Sequence, residues 1–149
     1  MKATFVVLVL AVAVLVGLSA AGASSDNDRE AVRRAALDYV EGIYDVKPEF
    51  IERSVHASLV KRGFYRKGPS APYVEMPMTY EQLVNLASTW NKNGSRDRSI
   101  KQVDVLEVLD QTAVAKVTAA WGIDYMLLAK YDGRWKISQI LWQSHPPKP

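Results

Sequence analysis

Asp132-Gly133, set between the apolar runs Ile123–Tyr131 and Arg134–Trp142, constrains this chain more than any other feature. A two-residue hairpin turn needs positive φ at its central residues, and Asp-Gly meets that need at low steric cost. The two runs therefore pair antiparallel, with Tyr131 and Arg134 flanking the turn. Upstream, Thr112–Trp121 is a further extended run, broken from Ile123 by Gly122. Ile100–Leu109 opens the sheet, with Val103, Val105 and Leu109 alternating against Gln102 and Asp104, and Asp110-Gln111 turns it back. Within Ile123–Tyr131, the residues Ile123, Tyr125, Leu127, Ala129 and Tyr131 share one face, yet Met126 and Leu128 occupy the other. A strand open to water on one side keeps that side polar. Both faces are therefore expected to be covered, one by helices and the other by a partner or a ligand.

The segments before the sheet supply those helices. Val32, Ala36, Tyr39, Val40 and Ile43 recur at helical spacing, opposite Arg29, Glu30, Arg33, Arg34, Asp38 and Glu41, which predicts an amphipathic helix capped by Asp26, Asn27 or Asp28. Gly42 inside it marks a close approach to a neighbour. Pro48 suits the first position of a second helix, which is expected to end near His56. Ser58–Arg66 reads as extended, Lys67–Pro72 as a loop, and Tyr73–Met76 as a short strand. Thr79 and Gln82 form a capping box at the head of a third helix whose apolar face is Leu83, Leu86, Ala87 and Trp90. Asn93-Gly94 suits its left-handed end. Helices first and an antiparallel sheet afterwards is an α+β arrangement.

The N-terminus is read apart from the fold. Met1-Lys2, the apolar run Phe5–Leu18 and the small residues Ala21-Gly22-Ala23 follow the order of a secretory signal peptide. The expected domains are a signal peptide over 1–23 and a single domain over 24–149, with its core over about 29–142. The apolar run is shorter than the ~20 residues a membrane span needs. The expectation is therefore a secreted or periplasmic protein with no stable span after cleavage, an uncleaved anchor being the alternative. The whole chain carries 19 Lys+Arg against 16 Asp+Glu, and removal of Lys2 leaves 18 − 16 = +2. No basic block is dense enough to track nucleic acid. There is no cysteine and there are two histidines, so disulfides and thiolate chemistry are excluded and no metal site or cofactor is expected.

The pattern resembles a known family. It is carried by Val40-Glu41-Gly42, by Val55-His56-Ala57-Ser58-Leu59-Val60-Lys61-Arg62, by Ala113–Val117 and by Ile123–Lys130. The most specific segment is Asp132-Gly133-Arg134-Trp135-Lys136-Ile137, with Leu141-Trp142 behind it. Over roughly Arg29 to Trp142 the chain resembles the lumazine-binding branch of the nuclear transport factor 2-like superfamily, whose fold is a cystatin-like cone. It departs from that pattern at Ala57, where a proline is expected after the histidine. The resemblance implies three N-terminal helices packed in a cone against a curved antiparallel sheet, a cavity between them, and no particular reaction.

Several residues are candidates for that cavity. His56 is a candidate general acid or base; its structural alternative is a cap at the end of the second helix. Asp124, in an otherwise apolar strand, would have its pKa raised by desolvation and act as a base; its alternative is a strand-end aspartate bonded to water or to a lysine such as Lys116. Tyr125 lies beside it, but adjacent strand residues face opposite ways unless Gly122 makes a bulge. Tyr39, Trp90, Trp121, Tyr125 and Trp142 form an aromatic set that suits a flat ligand or, equally, a core. Lys61, Arg62, Arg66 and Lys67 read as an anion-binding patch or a solvated basic edge strand. His145, in a proline-rich tail, is expected to be solvated. Three functions remain open: an exported domain that binds a small apolar or aromatic molecule without catalysis; a cofactor-free isomerase, dehydratase or cyclase using Asp124 or His56; and a homodimeric interaction module using the outer sheet face.

Overall fold

The computed structural model describes residues 10–147, with side chains described from residue 25. The chain runs as α1 (Leu10–Tyr44), α2 (Pro48–Ser54), β1 (Val55–Tyr65), β2 (Val74–Met78), α3 (Tyr80–Thr89), β3 (Lys101–Val108), β4 (Thr112–Ala119), β5 (Gly122–Tyr131) and β6 (Arg134–Gln143). Helices pack on one side of a curved six-stranded sheet of order β2-β1-β6-β5-β4-β3. This is the expected α+β class with two corrections. Strands β1 and β2 precede α3, so the helices do not all come first. The sheet is mixed, because β1 pairs parallel to β6 while every other pair is antiparallel.

The local signals are realised where backbone geometry demanded them. Asp132 and Gly133 take φ of 49° and 74°, the paired positive values of a primed turn, and Tyr131 faces Arg134 across it. In the capping box, Gln82 N donates to Thr79 Oγ1 at 3.3 Å and Thr79 N donates to Gln82 Oε1 at 2.8 Å. Pro48 opens α2. A Cβ on Gly42 would lie 3.1 Å from Ile51 Cδ1 and 3.1 Å from the Lys47 carbonyl oxygen, so its lack of a side chain lets α2 fold back onto α1.

Two element ends differ from expectation. Helix α1 does not start at Asp26–Asp28; it begins at Leu10 and runs 35 residues, so the cleavage point expected after Ala23 falls within it. Positions 1–9 of the expected signal peptide lie outside the described residues. Asp28 caps nothing, and instead accepts hydrogen bonds from Trp135 Nε1 (2.9 Å) and Lys130 Nζ (2.8 Å), tying α1 to the sheet. In β3 the pairing slips between Val105 and Glu107. That extra residue moves Val108 onto the helix-facing side and leaves Leu109 54 % exposed, against the expected alternation.

The core lies between α1 and the sheet. Val32, Ala36, Tyr39, Val40 and Ile43 of α1 meet Ala115, Val117, Met126, Leu128, Ile137 and Ile140, all essentially closed to solvent. Each large apolar side chain so buried stabilises the fold by roughly 1.5–3 kcal/mol. On the reverse of the sheet Val60, Tyr125, Leu127 and Leu141 stay open. Among the described residues no helix is long and apolar enough to cross a membrane.

Candidate functional site

Sheet order decides which polar side chains meet. Lys61 on β1 lies between exposed Val60 and Arg62, Asp124 on β5 lies between half-buried Ile123 and exposed Tyr125, and both point toward the helices, with β6 between their strands. Their side chains are 3 % and 0 % exposed, and Lys61 Nζ lies 3.2 Å from Asp124 Oδ1. Tyr39, from the buried face of α1, completes the cluster: Lys61 Nζ donates to its Oη at 2.9 Å, and Oη donates to Asp124 Oδ1 at 3.1 Å. The second carboxylate oxygen accepts from Trp121 Nε1 at 2.6 Å. Trp121 reaches it from the turn between β4 and β5.

Burial sets the electrostatics of this cluster. Desolvation pulls the Lys61 ammonium below its usual range, and Asp124 opposes that shift without cancelling it. Desolvation, reinforced by the Asp124 charge and hydrogen bond, pushes the Tyr39 hydroxyl well above 10.0. Tyr39 is therefore a neutral donor at any physiological pH. With three donors on its two oxygens and no exposure, Asp124 has no free lone pair directed at solvent.

Above this floor opens a cavity of about 640 Å³. Tyr39 and Ile43 of α1, Leu86 of α3 and Trp90 just after it, Met76 and Met78 of β2, and Trp121 and Trp142 line it. Trp90 and Trp121 meet edge to face at 5.4 Å, and Tyr44 braces both, at 5.7 Å and 5.3 Å. Tyr44 is itself held, donating to the Ile100 carbonyl (2.5 Å) and accepting from Ala120 N (2.7 Å). Trp142 can lie flat only because residue 63 is glycine: a Cβ there would sit 1.9 Å from its Nε1. That Nε1 is a buried donor without a partner among the described residues. Arg66, Arg96, Asp97 and His145 line the mouth.

The structure sorts the sequence candidates into two groups. Tyr39, Trp90, Trp121 and Trp142 line one cavity, and Asp124 lies beneath it. Tyr125 and His56 do not join them. Gly122 pairs in register with Ala119 and makes no bulge, so Tyr125 points to the outer face and is 50 % exposed. His56 is on β1 and does not cap α2; its ring stacks on Tyr131 at 4.0 Å, on the side of the sheet away from Asp124, and its Nδ1 meets Ser58 Oγ at 2.7 Å. An acid–base pair of Asp124 and His56 is thus ruled out by the pleat. Lys116 is not the partner of Asp124, because it pairs across from Tyr125 and shares its outward phase. The basic run is not an edge strand either: β1 lies between β2 and β6, and Lys61 turns inward while Arg62 turns outward to Glu75. His145 is exposed, as expected, and its Nε2 donates to the Ala119 carbonyl at 2.7 Å. Lys61 is the buried, cavity-lining residue that sequence reasoning misplaced. The one available signal was its even spacing from buried Leu59 and Gly63.

A family profile described as "Putative lumazine-binding" matches residues 27–143. The chain belongs to this family. Its nuclear transport factor 2-like fold is shared with solved structures. A nuclear transport factor 2-like protein of unknown function from Shewanella baltica is similar at a TM-score of 0.57 and 14% identity, covering 79% of this chain and 94% of its own. One from Silicibacter pomeroyi, also of unknown function, is similar at 0.56 and 12%, covering 72% and 87%. A third, with a cystatin-like fold, from Novosphingobium aromaticivorans, is similar at 0.56 and 11%, covering 84% and 86%. At these identities the likeness shows the fold. No curated protein matches the chain. The lumazine-binding family thus supplies an architecture here, and the site has to be read from its own side chains.

Proposed function

We propose that this lumazine-binding family member holds a small, flat aromatic molecule in the cone and does not transform it. The observation that carries the reading is a cavity of about 640 Å³ walled by Tyr39, Trp90, Trp121 and Trp142 over a buried Lys61–Asp124 pair. Its volume lies within the ~300–1,000 Å³ of small-molecule sites, and aromatic walls with few polar groups favour ring systems. An ammonium has three N–H groups, of which Tyr39 and Asp124 take two; the third is available to a ring carbonyl or ring nitrogen. Lumazine, the flat bicyclic ring in the family description, carries acceptors of that kind. Binding is favoured over catalysis because the buried Asp124 carboxylate already accepts from Lys61, Tyr39 and Trp121, and His56 is on the opposite face.

Thermal unfolding in the presence of pterins, flavins and steroids tests this. A ligand at a hundred times its dissociation constant adds about 2.7 kcal/mol of stability. A shift of that size, abolished in Trp90→Ala while that variant stays folded, is the expected result. No shift with any flat ring would remove the reading.

The outer face supports a second, compatible role in self-association. Val60, Tyr125, Leu127 and Leu141 are 60%, 50%, 45% and 52% exposed, and Tyr125 is directly opposite Leu141 in the β5–β6 ladder. Contiguous apolar surface of this kind is uncommon on a monomer, and a second copy of the chain presents the same patch by two-fold symmetry.

A further inference from the structure

Two guanidinium groups stand at the mouth of the cavity, and neither is committed to a carboxylate. Arg66 and Arg96 both line it, and among the described residues neither forms an ion pair; the arginine bridges involve Arg34, Arg53, Arg62 and Arg98. Each is nevertheless held in place. Arg66 N donates to Ser144 Oγ at 3.0 Å, and its guanidinium stacks on Tyr73 at 4.7 Å. Arg96 N donates to Oδ1 of buried Asn91 at 2.9 Å and Arg96 Nε donates to the Trp90 carbonyl at 3.2 Å, with the guanidinium 5.0 Å from the Trp90 ring. Asn91 in turn donates to the Tyr44 carbonyl at 2.8 Å. The arginine is therefore anchored to the same aromatic wall that would grip a ring.

Charge at the two ends of the cavity is unequal. At the floor the Lys61 ammonium is matched by Asp124, so that end suits a neutral acceptor. At the mouth two guanidinium charges face one carboxylate, Asp97, which turns back to accept from Ser99 N at 2.8 Å. The mouth is left with one positive charge in excess. Guanidinium is weakly hydrated and presents a planar fork to a carboxylate, so it binds such an anion at low desolvation cost.

We infer that the ligand of this cavity is an aromatic monoanion, a flat ring bearing a carboxylate that exits between Arg66 and Arg96. This rests on the aromatic-ligand reading above and narrows it to a chemical class. The ring lies against Trp90 and Trp121, and the carboxylate stays at the mouth where water and guanidinium share its solvation. Pairs at a partly open mouth are screened by salt, so the preference for the anion weakens as ionic strength rises.

The test compares naphthalene-2-carboxylate with naphthalene-2-carboxamide by calorimetric titration of the full chain. The two share ring and shape and differ in charge. The expected result is at least tenfold tighter binding of the carboxylate, an advantage that shrinks with added sodium chloride. Arg66→Gln and Arg96→Gln should each reduce it several-fold without weakening the carboxamide, and Arg62→Gln, outside the cavity, should leave it intact. Retained carboxamide binding reports that each variant is folded. Equal binding of the two compounds, or an advantage untouched by both cavity variants, overturns the anion inference while aromatic binding stands. Failure of both compounds to bind overturns the inference and the aromatic-ligand reading together.

Discussion

Lys61 is the residue on which the interior depends. Its ammonium is desolvated, and its removal leaves a carboxylate in the core with only Tyr39 and Trp121 for company. Breaking one side of a buried pair costs about 3–5 kcal/mol, whereas replacing both sides with apolar groups is often neutral. Urea denaturation should therefore find Lys61→Met destabilised by that amount, and Lys61→Met with Asp124→Leu restored in large part. Equal losses in the single and double variants would show that packing, and not charge, sets the cost. Tyr39 makes a separate, pH-dependent contribution. Below pH 10.0 folded and unfolded chains both keep its proton; above it the unfolded chain releases a proton that the folded chain retains. The folded state then binds more protons, so stability falls as pH rises through that range. Lys61 has the opposite slope, because below 10.5 the unfolded chain holds its proton more firmly than the folded one. Denaturant titrations from about pH 9 to about pH 11 should show the alkaline fall reduced in Tyr39→Phe. An undiminished fall would assign it to the other tyrosines.

At the scale of elements, the sheet owes its usable concave face to close approaches and slips of register. Gly63 on β1 faces Trp142 on β6, and the indole occupies the space a methyl group would need. Gly63→Ala must push that ring into the cavity or off the sheet. Overpacking of this kind costs typically 1–3 kcal/mol. Thermal unfolding should register that loss, together with a change in tryptophan emission and weaker binding of any ring ligand. Wild-type emission and stability would mean that the indole has room to turn aside. The slips at Leu106 in β3 and at Ser138 in β6, opposite Leu127/Leu128, act on the same geometry. A bulge bends its strand and increases the local twist, which helps a single sheet curve into one wall of a cavity.

At the scale of the whole molecule, the two sheet faces carry different duties. The inner face, with α1 and α3, builds the cavity, and the outer face exposes Tyr125, Leu127 and Leu141. If a second copy covers that face, Leu141→Glu places two like charges near the symmetry axis of a dry interface and should yield a monomer in analytical ultracentrifugation, with cavity binding unchanged. A wild-type monomer at micromolar concentration would remove the dimer. Because the two faces are separated by the thickness of one sheet, ligand binding and self-association are expected to be independently mutable.

What the chain determined by itself was local. The Asp132-Gly133 turn, the Thr79–Gln82 cap, Pro48 at the head of α2 and the buried stripe of α1 each depend on backbone conformation or on residues within a turn or two, so neighbouring residues suffice to specify them. The family pattern was likewise carried by contiguous segments. Tertiary structure decided the rest. Lys61 and Asp124 are 63 residues apart, and nothing between them states that β1 runs parallel beside β6 and inside β2. In a pleated strand the choice of inward or outward face is a choice of phase, and a run containing Lys61, Arg62 and Arg66 supports either. Only the order of the sheet and its packing on α1 turned Lys61 inward, sent Tyr125 and His56 to the far side, and brought Arg66 and Arg96 to the rim of one cavity.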